Sequence, residues 1–235
     1  MDDNKPQAMK WFFSVLSSPG QVFQQMVEQP AFFIPALLAC GINVLLALVL
    51  LPKIREFTLW VLKHGAAQIP PEQVGAVQGI ALTTAIVGSV IAALVGPWLL
   101  WLVIAGLLKI YDLFGAKGTR FGTLYAVAVY GYLPVLIGKI LHTAVVVGAP
   151  AENFGKVSLS LAALLPYQKS FIYFFLTGCN PFVWWSLALW GIGGAAAMRS
   201  RSSGGVFGLL FGSWFAYAVV MAVYALAKVP AGIGF

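Results

Sequence analysis

The chain has 235 residues, of which 60% are hydrophobic and only 9% charged, and its mean hydropathy is +0.90. A soluble domain of this length needs far more charge to cover its surface, so that class is excluded. The net charge of +7 comes from Lys and Arg placed singly or in pairs between apolar runs, a pattern that fits membrane orientation and anionic headgroups rather than nucleic acid.

Residues 1–10 are polar and expected to be frayed, and 11–16 are apolar and aromatic. Ser18 then offers an N-cap and Pro19 a first helical position. Val22, Phe23, Met26 and Val27 fall on one face of the helix that follows, and Gln21, Gln24, Gln25 and Glu28 on the other. About ten residues span about 15 Å, half of a bilayer crossing. The helix is therefore expected to lie in the membrane interface with its apolar stripe toward lipid. Folding beneath the bundle as a plug is the rival reading. Residues 1–29 thus form a cytoplasmic tail and interfacial helix, ahead of a membrane domain over 30–229.

Five apolar runs predict spans at 31–52, 77–110, 121–147, 181–199 and 205–228. Each is near or above the roughly 18–20 residues that cross about 30 Å of hydrocarbon. The fold class is all-α: a polytopic, five-span helical bundle. A β-barrel needs ten-residue alternating segments, which are absent.

Pro30 and Pro35 bracket the start of the first span, and Pro52 is expected to end it. The loop over 53–78 holds a short amphipathic piece, "REFTLWVLK", and Pro70-Pro71. Gly96-Pro97 in the second span predicts a kink or tilt beside Trp98 and Trp101. Lys109 and Asp112, three residues apart, suit an interfacial pair. The third span carries Tyr125, Tyr130, Gly131, Tyr132 and Pro134, then Lys139 and His142. A long loop over 148–180 contains "SFIYFFLTG", and Asn180-Pro181 repeats the cap-plus-proline start. The fourth span ends in "GIGGAAAM", small residues that admit a close neighbour. "RSRSSGG" is a tight turn into the fifth span.

With the N-terminus inside, Lys5, Lys10, Lys109, Lys117, Arg120, Arg199 and Arg201 are cytoplasmic, and Lys53, Arg55, Lys63, Lys156, Lys169 and Lys228 lie opposite. The first set crowds short loops, which carry more weight in the positive-inside rule. The expectation is N-terminus inside and C-terminus outside.

Catalytic constellations are missing. The two histidines are His64 and His142, and no H-E-x-x-H, G-x-S-x-G or GxxxxGK[ST] pattern occurs. Ser213 with His142 is the best protease-like pair, and no motif surrounds it. Cys40 and Cys179 lack metal spacing and read as small apolar fillers. No enzyme activity, metal site or cofactor is expected.

Lys139 and His142 share a helix face at i and i+3. Lys139 lies 18 residues after Phe121, about 27 Å along the helix and near the far interface. A snorkelling Lys beside an interfacial His is preferred over an ion or substrate site. In the tyrosine cluster, Gly131 admits a close crossing and the phenols satisfy backbone groups freed by Pro134. The alternative is a groove for lipid or solute.

"SSPGQVFQQMVEQPAFFIPALL" resembles the P-x-x-x-F opening before the first span of prokaryotic Yip-domain (Ypt/Rab-interacting) membrane proteins. "FGTLYAVAVYGYLPVLI" is similar to that family's third-span signature, with Tyr130, Gly131, Tyr132 and Pro134 on its YGY…P positions. "NPFVWWSLALWGIGG" and "RSRSSGGVFGLLFGSW" are similar to its fourth span, basic turn and fifth span. The resemblance implies a five-span plasma-membrane protein with a cytoplasmic N-terminus. Eukaryotic members act in endoplasmic reticulum–Golgi traffic and bind Rab GTPases. A "DLWGP"-like stretch is missing here, so Rab-type GTPase binding is not carried over. The expected function is non-enzymatic: binding membrane lipids, other membrane proteins or its own copies, in membrane organisation or trafficking. The alternative is a small-solute or ion transporter or channel using the kinked spans.

Overall fold

The computed structural model describes residues 4–65, 73–115, 117–200 and 203–228. Pro70-Pro71 and Arg201 lie outside them. The described elements are helices α1 (Asn4–Ser14), α2 (Pro19–Glu28), α3 (Phe33–Gly65), α4 (Val74–Gly115), α5 (Phe121–Tyr130), α6 (Leu133–Gly148), α7 (Phe171–Gly178), α8 (Pro181–Ala197) and α9 (Gly204–Lys228). Two 3-10 turns, Ala151–Asn153 and Leu161–Leu164, lie between α6 and α7. No strand occurs among the described residues.

Four segments are long and apolar enough to cross a membrane: Phe33–His64, Val74–Gly115, Phe121–Gly148 and Gly204–Lys228. The pair α7 and α8, bent by 51° at Cys179-Asn180, passes the same test together and has the form of a broken span or a re-entrant loop. Asn180 accepts the Phe182 N–H at 2.9 Å and Pro181 takes the first helical position, which is the expected cap. The fourth predicted span corresponds to α8, the second limb of that bent pair. The bundle is apolar outward: Leu45 is 62% exposed, Ile80 69% and Val220 63%. Without water to satisfy backbone groups in hydrocarbon, such a surface belongs to helices closing their own hydrogen bonds.

Pro52 does not end the first span. It sits inside α3, whose 33 residues extend about 50 Å. The "REFTLWVLK" piece is thus the last third of the same helix, which is longer than a hydrocarbon core of about 30 Å. A proline in a helix interior costs about 3 kcal/mol, and packing beyond it offsets that cost. Phe57 stacks on Phe154 at 5.0 Å, and Lys53 pairs with Glu56 at 3.0 Å. Pro97 likewise lies within an unbroken α4.

The amino-terminal segment also differs from expectation. Residues 4–10 are helical rather than frayed, because Ala8, Trp11, Phe12 and Val15 bury one stripe. The Trp11 indole donates to Gln25 Oε1 at 3.0 Å, joining α1 to α2. Val22, Phe23 and Met26 of α2 are buried against protein, with Val27 half-buried beside them. Their stripe faces α8 and α5, so the lipid-facing expectation is corrected in favour of a helix folded beneath the bundle. Ser18 makes no side-chain cap; only its carbonyl receives the Val22 N–H, at 3.1 Å.

Helix α8 is the hub. A side chain at Gly191 would strike Phe207 of α9, one at Gly193 would strike Val127 of α5 and Phe23 of α2, and one at Gly194 would strike Leu108 of α4. The small residues at the end of the fourth predicted span therefore admit several neighbours at once. Cys40 and Cys179 are both free and buried.

Candidate functional site

The third span is broken where its signature lies. Helix α5 ends at Tyr130, and Gly131 and Tyr132 form a turn before α6. The break follows from Pro134, which lacks an N–H and whose ring crowds the carbonyl four residues earlier. Tyr132 N–H shifts to the Val129 carbonyl at 3.2 Å, which leaves the Ala128 carbonyl without its helical donor. Helix α8 supplies both replacements. The Trp190 indole donates to the Ala128 carbonyl at 2.9 Å, and Ser186 Oγ accepts the Val135 N–H at 3.3 Å. Gly131 is required because a Cβ there would collide with the Trp190 indole.

The two phenols have different partners. Tyr130 donates to the Ala31 carbonyl at 2.8 Å, with the Ala8 carbonyl 3.3 Å away. It therefore ties α1 and the lead-in to α3 onto the third span. Tyr132 donates to Asn43 Oδ1 at 3.2 Å, and Asn43 donates to the Ala39 carbonyl at 2.7 Å. Neither phenol bonds the backbone groups that Pro134 frees, so that part of the expectation is replaced by Ser186 and Trp190.

Lys139 reaches the same amide. Its Nζ donates to Asn43 Oδ1 at 2.7 Å and lies 5.7 Å from the centre of the Tyr132 ring. Helical side chains lean toward the helix N-terminus, so the stem runs down into the bundle instead of snorkelling to the far interface. His142, one turn above, pairs through Nε2 with the Val157 carbonyl at 3.1 Å.

Lys139, His142 and Asn43 line one cleft of about 560 Å³ between α3, α4, α6 and α8. Its walls are mostly apolar, including Leu46, Leu50, Ala93 and Val183, with Ser89, Thr143 and Asn180 as further polar groups. Below Asn43 the bundle is filled: Trp101, Tyr130, Leu124 and Phe23 are fully buried, and Tyr132 and Leu136 nearly so. The cleft is a dead end toward α1 and α2. Among the described residues no carboxylate lies within ion-pair distance of Lys139. Nor, among the described residues, do three His, Cys, Asp or Glu side chains converge as a metal site.

Asn43, Ser186 and Trp190 escaped the reading of the sequence. The available signal was a polar side chain inside an apolar run, which must find a partner in hydrocarbon.

A family model described as the Yip1 domain matches residues 13–225. The chain belongs to the Yip1-domain family. No curated protein and no solved structure matches it.

Proposed function

We propose that this Yip1-domain membrane protein is non-enzymatic and acts by binding an anionic lipid in the Lys139 cleft. Through that lipid it would engage other membrane proteins or its own copies in membrane organisation or trafficking. The observation that carries the reading is an ammonium lining a mostly apolar cleft, whose strong partner is a neutral amide oxygen. The Lys139 charge is exposed in that cleft. One amide does not neutralise it, whereas a phosphate or carboxylate does. Apolar walls and a volume of about 560 Å³ suit part of an acyl chain. The positive-inside pattern supports a cytoplasmic N-terminus, which sets the cleft toward the opposite leaflet of a plasma membrane.

The transport reading requires a continuous path, and the filled core below Asn43 favours binding over passage. The test is photocrosslinking of the full chain in nanodiscs to an anionic phospholipid carrying a diazirine in its acyl chain. Crosslinks are expected on peptides from α3, α6 and α8, reduced about tenfold or more in Lys139→Gln. Even labelling of every helix, unchanged in that variant, refutes the reading. Solute or ion flux in proteoliposomes that Lys139→Ala abolishes would replace it with transport.

A further inference from the structure

At the other end of the bundle, two short turns place three cations around one cleft. Lys117 and Arg120 come from the α4–α5 turn and Arg199 from the α8–α9 turn. With Thr119 and Thr123 they line about 340 Å³, and all three cations are exposed there. None of the described residues lining this cleft is acidic. The nearest carboxylate of the turn, Asp112, is engaged by Lys109 at 2.7 Å and by Thr119 Oγ1 at 2.6 Å. It holds the turn in shape, and among the described residues no salt bridge reaches Lys117, Arg120 or Arg199.

The backbone at Arg199 adds a second argument. Helix α8 ends with the Arg199 N–H on the Ala196 carbonyl at 3.1 Å and the Ser200 N–H on the Ala195 carbonyl at 3.0 Å. This is the Schellman arrangement, whose left-handed residue is most often glycine. Here it is arginine, with φ of 46°. A Cβ makes that conformation unfavourable, and such residues concentrate at functional sites. The guanidinium at this position is thus presented on a backbone that glycine would adopt at lower cost.

Arg120 occupies the N-cap of α5, where it makes no side-chain cap. The positive end of that helix therefore adds to the three cations. Leu113 and Phe114, on the last turn of α4, are 67% and 89% exposed. Such side chains belong in lipid, which sets the neighbouring cleft at headgroup depth. A smaller notch between Tyr111, Phe114 and Met198 shares Lys117 with the cleft and opens it toward that apolar flank.

We infer that this cleft is a phosphate-binding site, taking the phosphate of an anionic lipid headgroup or of a soluble phosphorylated ligand. Two guanidinium forks and an ammonium match phosphate oxygens in geometry and charge.

The test is native mass spectrometry of the detergent-solubilised full chain with phosphatidic acid or phosphatidylcholine, alongside thermal melting with inorganic pyrophosphate. Phosphatidic acid is expected to bind about tenfold more tightly than phosphatidylcholine. That preference is expected to drop about tenfold in Arg199→Gly and in the Lys117→Gln/Arg120→Gln pair. Arg199→Gly should melt no lower than the parent, which separates lost binding from lost folding. The same drops should appear when Arg199→Gly and Lys117→Gln/Arg120→Gln are made in a Lys139→Gln background, where the opposite cleft has lost its ammonium, so the two lipid sites fail independently. Protection of the parent by pyrophosphate, lost in Arg199→Gly and without a lipid preference, assigns the site to a soluble phosphate. Undiminished phosphatidic acid binding in both variants, or no binding of either phosphate source, overturns the inference.

Discussion

Gly131→Ala is the most direct test of the joint between the third span and α8. By backbone preference alone the change is favourable. Gly131 sits at φ −71° and ψ −7°, open to any residue, and alanine there gains about 0.4–1 kcal/mol through the unfolded state. Packing opposes it. The new Cβ would collide with Cδ1 and Nε1 of Trp190, and that ring is only 2% exposed and bonded to the Ala128 carbonyl at 2.9 Å. Overpacking costs about 1–3 kcal/mol, and displacing the indole leaves a buried carbonyl unpaired for about 1 kcal/mol more. The net expectation is destabilisation by about 1.5–3 kcal/mol. The assay is reversible unfolding in mixed micelles followed by far-ultraviolet circular dichroism. A double-mutant cycle with Trp190→Leu isolates the clash. In that background Gly131→Ala should cost less than about 0.5 kcal/mol. An equal cost in both backgrounds refutes the argument that Trp190 is what excludes a side chain at position 131.

Ser186→Ala leaves the Val135 N–H without its acceptor and should lower stability by about 1–2 kcal/mol in the same unfolding assay. Asp112→Asn weakens charge-assisted bonds to Lys109 and Thr119, so a loss of about 1.5–3 kcal/mol is expected; faster trypsin cleavage at Lys117 should accompany it, and unchanged cleavage would show that the turn holds itself. Single cysteines at Lys63 and Lys117, both exposed and at opposite ends of the α3–α4 pair, should react with impermeant thiol reagents from opposite sides of a sealed vesicle. Labelling from one side alone would overturn the crossing of α4.

The class of fold was legible because hydrocarbon imposes one demand on every crossing, a long apolar run in a helix. Boundaries were less legible. Pro52 is a local stop signal, and it was overridden by contacts far along the chain, Phe57 on Phe154 among them. Helix α2 shows another limit: an apolar stripe of Val22, Phe23 and Met26 has the same period whether lipid or α8 covers it. In the site, Tyr132, Lys139 and His142 could be singled out as polar groups on one segment. Asn43 lies 96 positions away from Lys139 and belongs to a different run. Only the folded bundle brings its amide under that ammonium.

The two halves of the bundle treat polarity differently, and the difference bears on where function resides. Toward α1 and α2, the third-span break is held by defined pairs, Trp190 on Ala128, Ser186 on Val135 and Tyr130 on Ala31, while the neighbouring Trp101 indole N–H is buried without a partner among the described residues. Such pairing follows from the cost of an unsatisfied group in a medium without water, and it rigidifies that half. Above Asn43 the helices part instead, and the cleft exposes an ammonium, an imidazole and several hydroxyls between apolar walls. At position 139 the ammonium is exposed in the cleft with one amide for its strong partner, and an anion would pair with it more strongly. A stapled lower half supporting an open, positively charged upper cleft is the arrangement expected of a receptor for an acidic amphiphile, with the YGY turn as the rigid floor on which Tyr132 and Asn43 present Lys139.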